Sequence, residues 1–296
     1  MNSAVIAALC ATTGFAAGDV FTAIMARRVG GKTTTLLNSA FKLVLYAPFA
    51  ILWHHEFTGL VGQTLLWIVG LGLLFATANL CFSTALHIGK NPALVGVVAG
   101  CFPASASFVA ITFLGQRPSV LTIVLLVSVL TGVVLIGLPE GWRTSLRVDN
   151  GILLALVPLV CWGVFGALLN EPVRRLGTPH AWFVVQALVA VIVVLSIAML
   201  YNKQVPGFVR DANRKRVWLL VLTAGGLIGA AEALQALALG SGHQLVIVET
   251  LLGSYPAAYF LMAHRIFREP LFKRQWVGIG IVAIAVALLS VSASQI

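Results

Sequence analysis

The chain has 296 residues, of which 59% are hydrophobic and 9% charged, with a mean hydropathy of +1.00 and a formal net charge of +10. A soluble domain of this size carries roughly a quarter charged residues, so the composition excludes a soluble protein. The surplus of Lys and Arg falls in short breaks between apolar runs and builds no basic stripe with interleaved aromatics, which argues against nucleic acid and makes the charge a loop signal that sets membrane orientation.

Apolar runs of about 20 residues between polar breaks are the pattern of membrane-spanning helices, not the alternating segments of an outer-membrane barrel. The expected spans are 4–25, 34–53, 65–86, 93–114, 119–138, 151–170, 181–201, 217–239, 244–266 and 275–293. The first lacks a basic leader and runs on past Asp19 to Met25, so it reads as a span and not as a cleaved signal. Trp53, Trp67, Trp182, Trp218 and Trp276 fall near expected span ends, where amphipathic rings prefer to lie. Trp162 sits deep in the sixth span beside Gly163 and Gly166, as packing or as a cavity wall. Cys10, Cys81, Cys101 and Cys161 all lie within spans, as small buried residues and not as a disulfide framework.

The two halves of the chain echo each other. Gly89, Gly100 and Pro103 recur 153 residues on as Gly242, Gly253 and Pro256, Gln116-Arg117-Pro118 is answered by Arg268-Glu269-Pro270, and Arg27-Arg28-Val29-Gly30 by Arg174-Arg175-Leu176-Gly177. The order is kept and the offset nearly constant, so a duplication is expected: residues 1–138 form one five-helix repeat, 139–150 connect, and 151–296 form the second. Five crossings is an odd number, so the second copy enters from the opposite side and the repeats are inverted. Such repeats frame a midplane site in secondary transporters. Pro256 removes the backbone donor that would bond the Leu252 carbonyl, and a freed carbonyl at membrane depth is tolerated where protein or a wet cavity satisfies it.

Ten spans in two halves, each with a Gly- and Pro-bearing fourth helix, a polar turn such as Arg268-Glu269-Pro270 and a Gly-containing last helix, resemble the EamA-type drug/metabolite transporters. The resemblance covers essentially the whole chain; Gln116 departs from it in the first half, where an acid is usual. It implies an all-α membrane protein in which the first four helices of each half enclose a central cavity, and it does not imply a substrate.

Four ionisable residues, Asp19, Lys42, Glu232 and Glu249, lie well inside spans. Each costs about 2.5–3.5 kcal/mol at a helix centre, so they should face a cavity or one another. Asn38, Lys42 and Tyr46 recur every four residues, as do Asn79, Ser83 and His87, and Glu232 shares a face with Gln235. Asn79 and Glu232 are mates at the repeat offset of 153. The expected substrate-binding set is Lys42, Asn79, Ser83, Trp162 and Gln235. Glu232, Glu249 and Asp19 are expected to carry a coupling proton or to meet a substrate cation, with Glu232 and Glu249 as a coupled pair across the short turn 240–243. Structural ion pairs and interhelical hydrogen bonds are the competing reading of these same groups.

No cofactor or metal is expected: His54-His55-Glu56 lacks the spacing of a transition-metal site. Asp19 is the single aspartate in a span and no HExxH helix occurs, which argues against an intramembrane aspartyl protease or a metalloprotease. The expected function is a secondary transporter, exporting small polar metabolites such as amino acids by alternating access. The alternatives are proton-coupled export of organic cations or drugs, or a scaffold or receptor without transport. The expected partners are a small-molecule substrate and the lipid bilayer, and the expected form is a monomer or weak homodimer in a bacterial inner membrane.

Two arguments on orientation disagree. The resemblance implies cytoplasmic termini. Odd-numbered loops hold 15 Lys and Arg against three in even-numbered ones, and the repeat-equivalent comparison is nine in the seventh and ninth loops against one in the second and fourth. Positive charge stays inside, so the loop count, which we follow, puts both termini outside.

Overall fold

The structure, a computed structural model, describes residues 3–55, 60, 62–137, 150–176, 180–201, 214–240, 245–268 and 272–293. Regular structure among them is entirely helical: α1 (Ser3–Val29), α2 (Gly31–Leu52), α3 (Gln63–Ile88), α4 (Pro92–Ala99), α5 (Phe102–Thr112), α6 (Val120–Gly137), α7 (Asn150–Leu168), α8 (Asn170–Leu176), α9 (Ala181–Met199), α10 (Arg214–Gly240), α11 (Leu245–Leu252), α12 (Tyr255–Phe267) and α13 (Lys273–Ala293). Trp142, Gly242, Glu269, Pro270 and most of the loops 139–150 and 202–216 lie outside the described residues.

Two expected spans differ from the single helices read in the sequence. The fourth divides into α4 and α5 at Gly100 and Cys101, and the ninth into α11 and α12 at Gly253 and Ser254. Pro103 and Pro256 stand near the start of the following helix, the position where a missing N–H does least harm. At each break the ladder tightens: Cys101 N–H bonds the Val98 carbonyl at 3.2 Å, and Gly253 N–H is shared between Glu249 and Thr250 at 2.8 and 3.1 Å. A further difference is α8, a short helix where the sequence suggested a loop from Arg174 onward.

Seven helical stretches among the described residues are long and apolar enough to cross a membrane, counting α4 with α5 as one; α6 is apolar but shorter. Large side chains on the outer surface are themselves apolar, with Leu66, Phe113 and Val120 each more than 70% exposed, as a lipid-facing surface requires.

The helices pack in pairs that exchange under a swap of the two halves. α2 lies along α9, and α6 along α13; α1 against α10 is matched by α7 against α3; α12 on α4 is matched by α5 on α11. The paired helices α2 and α9 run in opposite directions: Thr33 meets Tyr201 at one end of α2 while Tyr46 meets Trp182 toward the other. Small residues permit the closest crossings. A Cβ on Gly132 would lie 2.7 Å from the Gly278 carbonyl oxygen, and one on Gly278 would lie 2.5 Å from that of Gly132, so α6 and α13 meet backbone to backbone.

One break in the symmetry positions the site. α1, α2 and α3 pack on one another, whereas among the described residues α7, α9 and α10 form no comparable mutual contact. Polar bonds knit the first group together near the end where α1 finishes: Asn38 Nδ2 donates to Thr22 Oγ1 at 3.2 Å, Thr35 Oγ1 to the Asn79 carbonyl at 3.1 Å, and Arg27 to the Gly89 and Lys90 carbonyls at 3.4 and 3.3 Å. That end is closed.

Candidate functional site

The polar stripe of α2 supplies the first wall. Because Asn38, Lys42 and Tyr46 lie one turn apart, all three face inward, and Lys42 forms an ion pair with Glu232 of α10. The second carboxylate oxygen of Glu232 accepts from Tyr46 Oη at 3.0 Å, and that hydroxyl also lies 3.1 Å from the Gly229 carbonyl. The Lys42 ammonium stands 4.4 Å from the centre of the Phe75 ring, which stacks on Phe165 of α7 at 4.4 Å. A buried charge pair needs such additional partners to offset desolvation, and this one has a hydroxyl and an aromatic face.

Asp19 of α1 is 8% exposed and accepts a hydrogen bond from Tyr255 Oη at 2.6 Å. Tyr255 follows the break in the ninth span, so the Gly–Pro feature read in the sequence delivers a hydroxyl to the buried acid. Its ring and that of Tyr259 lie against α4, where a Cβ on Gly100 or Gly96 would come within 2.4 or 2.0 Å of them.

Between these walls is a cavity of about 90 Å³ lined by Asp19, Lys42, Asn79, Trp162, Glu232 and Gln235 together with Gln186 and a set of aromatic rings. In this measure about 10–15 Å³ admits one water, so the space holds several waters or a small solute. The lining runs from Asp19 and Asn79 at mid-depth to Leu169, Trp182 and Leu239 near the ends of α7, α9 and α10, and so toward the end at which α1 begins. A smaller cavity of about 30 Å³ shares Asp19, Lys42 and Asn79 and reaches Ser83, Thr22 and Asn38 on the closed side.

The expected residues therefore converge, with one exception. Glu249 is fully buried in α11 and does not line either cavity; its Oε1 accepts from Gln235 Nε2 at 3.2 Å. The structure thus divides the expected Glu232–Glu249 pair: Glu232 turns to the Lys42 and Tyr46 stripe, which offers it charge and a hydroxyl, and Glu249 stands behind the cavity wall. Trp162 is both of the things its position suggested, since it packs edge-on against Phe82 at 4.8 Å and forms part of the wall. Its Nε1–H has no acceptor among the described residues.

Several lining groups were not singled out from the sequence. Gln186 carried no period of its own, and Tyr255 was read as part of an apolar run; its place two residues after Gly253 was the available signal. Among the described residues no cluster of three His, Cys, Asp or Glu side chains could hold a metal ion, and the four cysteines are free.

The EamA-like transporter family model matches residues 2–138 and again 149–291. No curated protein matches the sequence. A solved structure described only as the crystal structure of a protein aligns with a TM-score of 0.73 at 15% identity, covering 100% of this chain and 98% of that one, a likeness of fold alone. With both halves matched in turn, the chain is a multi-pass integral membrane protein and belongs to the EamA-like transporter family.

Proposed function

We propose that the protein is a secondary transporter that carries small amine-bearing metabolites, amino acids among them, by alternating access. The observation that carries the reading is the division of charge around the cavity. Lys42 is ion-paired with Glu232, which leaves Asp19 with a hydroxyl partner and, among the described residues, no ion pair of its own. A solute ammonium beside Asp19 supplies that missing charge, and the aromatic faces of Phe102 and Trp162 suit a cation. A solute carboxylate finds donors in Lys42 and in the unpaired Trp162 N–H, whose burial without an acceptor costs about 1–3 kcal/mol.

In this reading the chain crosses the membrane ten times as two inverted five-helix repeats, α1–α6 and α7–α13. The paired packing of the helices and their opposed directions support it. Taken with the loop charge, the knitted end is cytoplasmic and the cavity opens outward. The opposite state forms when α7, α9 and α10 close on one another and α1, α2 and α3 separate.

A second reading, carriage of organic cations, is favoured by the same neutralised Lys42 and by the aromatic lining. Uptake into proteoliposomes separates the two: labelled amino acids and labelled quaternary amines are offered in turn. Accumulation of quaternary amines alone overturns the amino-acid reading, and movement of neither class overturns transport of amines.

A further inference from the structure

We propose that Glu249 is a proton-binding site read by the cavity, holding a proton when the cavity is empty and releasing it when an amine cation enters. The inference rests on the transport reading for its consequence and on the geometry around Glu249 for its site. The side chain is 0% exposed, one oxygen takes a hydrogen bond from Gln235, and the other, Oε2, has no partner among the described residues. A buried carboxylate ion requires a counter-charge or several donors, whereas a neutral acid needs neither.

No counter-charge is at hand among the described neighbours. α11 packs on α1, α5, α6, α10 and α13. α5 and α6 carry no ionisable side chain. α1 brings Asp19, bonded to Tyr255, and α10 brings Glu232, bonded to Lys42 and Tyr46. α13 has its charges, Lys273 and Arg274, in its first turn at the knitted end of the bundle, and α7 brings only the half-buried Cys161. Among the described residues the cation that faces this region is Lys42, and it is paired with Glu232.

Two features connect the acid to the cavity. Gln235 lines the cavity with one end and holds Glu249 with its amide nitrogen. Gly166 also lines the cavity, and a Cβ there would lie 3.7 Å from Glu249 Oε1, so the missing side chain leaves the acid one atom layer behind the wall. A cation on the cavity side favours the ionised acid, and an occupied proton disfavours the cation. Charge balances: one proton leaves as one monovalent cation enters, and the linkage is reciprocal.

The test compares the wild-type protein with Glu249→Gln and Glu249→Asp, purified in detergent, using a labelled quaternary amine and a labelled amino acid as probes. For the wild type we expect proton release into a weakly buffered solution on amine binding, and a Kd that tightens by up to tenfold for each unit rise in pH across the titration. Glu249→Gln should bind with the weak affinity the wild type shows in acid and with a pH dependence reduced to what the cavity carboxylate of Asp19 contributes, as read from the further variant Asp19→Asn. Glu249→Asp should restore the dependence at a shifted midpoint, which also serves if the Gln variant does not fold. A Kd independent of pH in the wild type, or a dependence as steep in Glu249→Gln as in the wild type, overturns the proposal while leaving amine transport standing. If no amine binds at all, infrared titration of the ligand-free protein still decides the site: a protonated-carboxyl band present in the wild type and missing from Glu249→Gln supports it even though the transport reading has failed, and identical spectra overturn it.

Discussion

Lys42 and Glu232, 190 residues apart in the chain, close on each other across α2 and α10, one from each half of the molecule. Removing one partner of a buried pair leaves the other charge uncompensated, at a cost of about 3–5 kcal/mol, whereas removing both is often nearly neutral. Lys42→Met and Glu232→Gln should each lower the thermal unfolding midpoint in detergent markedly, and the double variant should recover most of the loss. Additive losses would show that the two charges do not depend on each other.

Asp19 is the cavity acid without a bound cation, and its loss should act on binding more than on folding. Hydrogen bonds to charged groups contribute about 1.5–3 kcal/mol, so Asp19→Asn should weaken amine binding by roughly 10- to 100-fold. Tyr255→Phe should weaken it less, since it removes only a support for the carboxylate. Equilibrium binding of a labelled amine checks both, and an unaltered Kd in Asp19→Asn would remove Asp19 from the site.

The Trp162 N–H gives a way to tell a zwitterion from a simple cation. Trp162→Phe keeps an aromatic wall and deletes the orphan donor, so it should weaken binding of amino acids by about two- to tenfold, the value of one neutral hydrogen bond, and leave quaternary amines unaffected. An equal loss for both classes would assign Trp162 to packing alone.

The direction in which the cavity opens is checked by labelling. Leu239→Cys, at the open end, should react in intact cells with a membrane-impermeant maleimide, and Thr22→Cys, on the closed side, should not. A reporter active only in the cytoplasm, fused after Ile296, should stay silent. Fluorescence from it would reverse the orientation drawn from loop charge.

Gly96 is a packing position with little tolerance. A Cβ there would meet the Tyr259 ring at 2.0 Å, and that tyrosine is fixed by donating to the Pro92 carbonyl at 3.0 Å. Gly96→Ala should therefore cost about 1–3 kcal/mol of stability, read as a lower unfolding midpoint. Stability equal to wild type would mean that α4 and α12 part more readily than their packing suggests.

By itself the sequence determined that the chain is an all-helical membrane protein of duplicated design, and it pointed to Asp19, Lys42, Glu232 and Glu249 as groups that face a cavity or one another. Those conclusions rest on one-dimensional facts: run length, the spacing of Asn38, Lys42 and Tyr46, the recurrence of Gly100 and Pro103 as Gly253 and Pro256, and the high free energy of a charge in lipid. Only the tertiary structure decided which acid takes the lysine. Glu232 and Glu249 look alike in the sequence because each is a lone carboxylate in an apolar helix, and their roles separate through neighbours distant in the chain: Tyr46 and Lys42 for one, Gln235 and the bare face of Gly166 for the other. Helical periodicity reports which residues share a face, but not how that face is rotated toward its neighbours, and that rotation sets whether an acid lines the cavity or stands behind it.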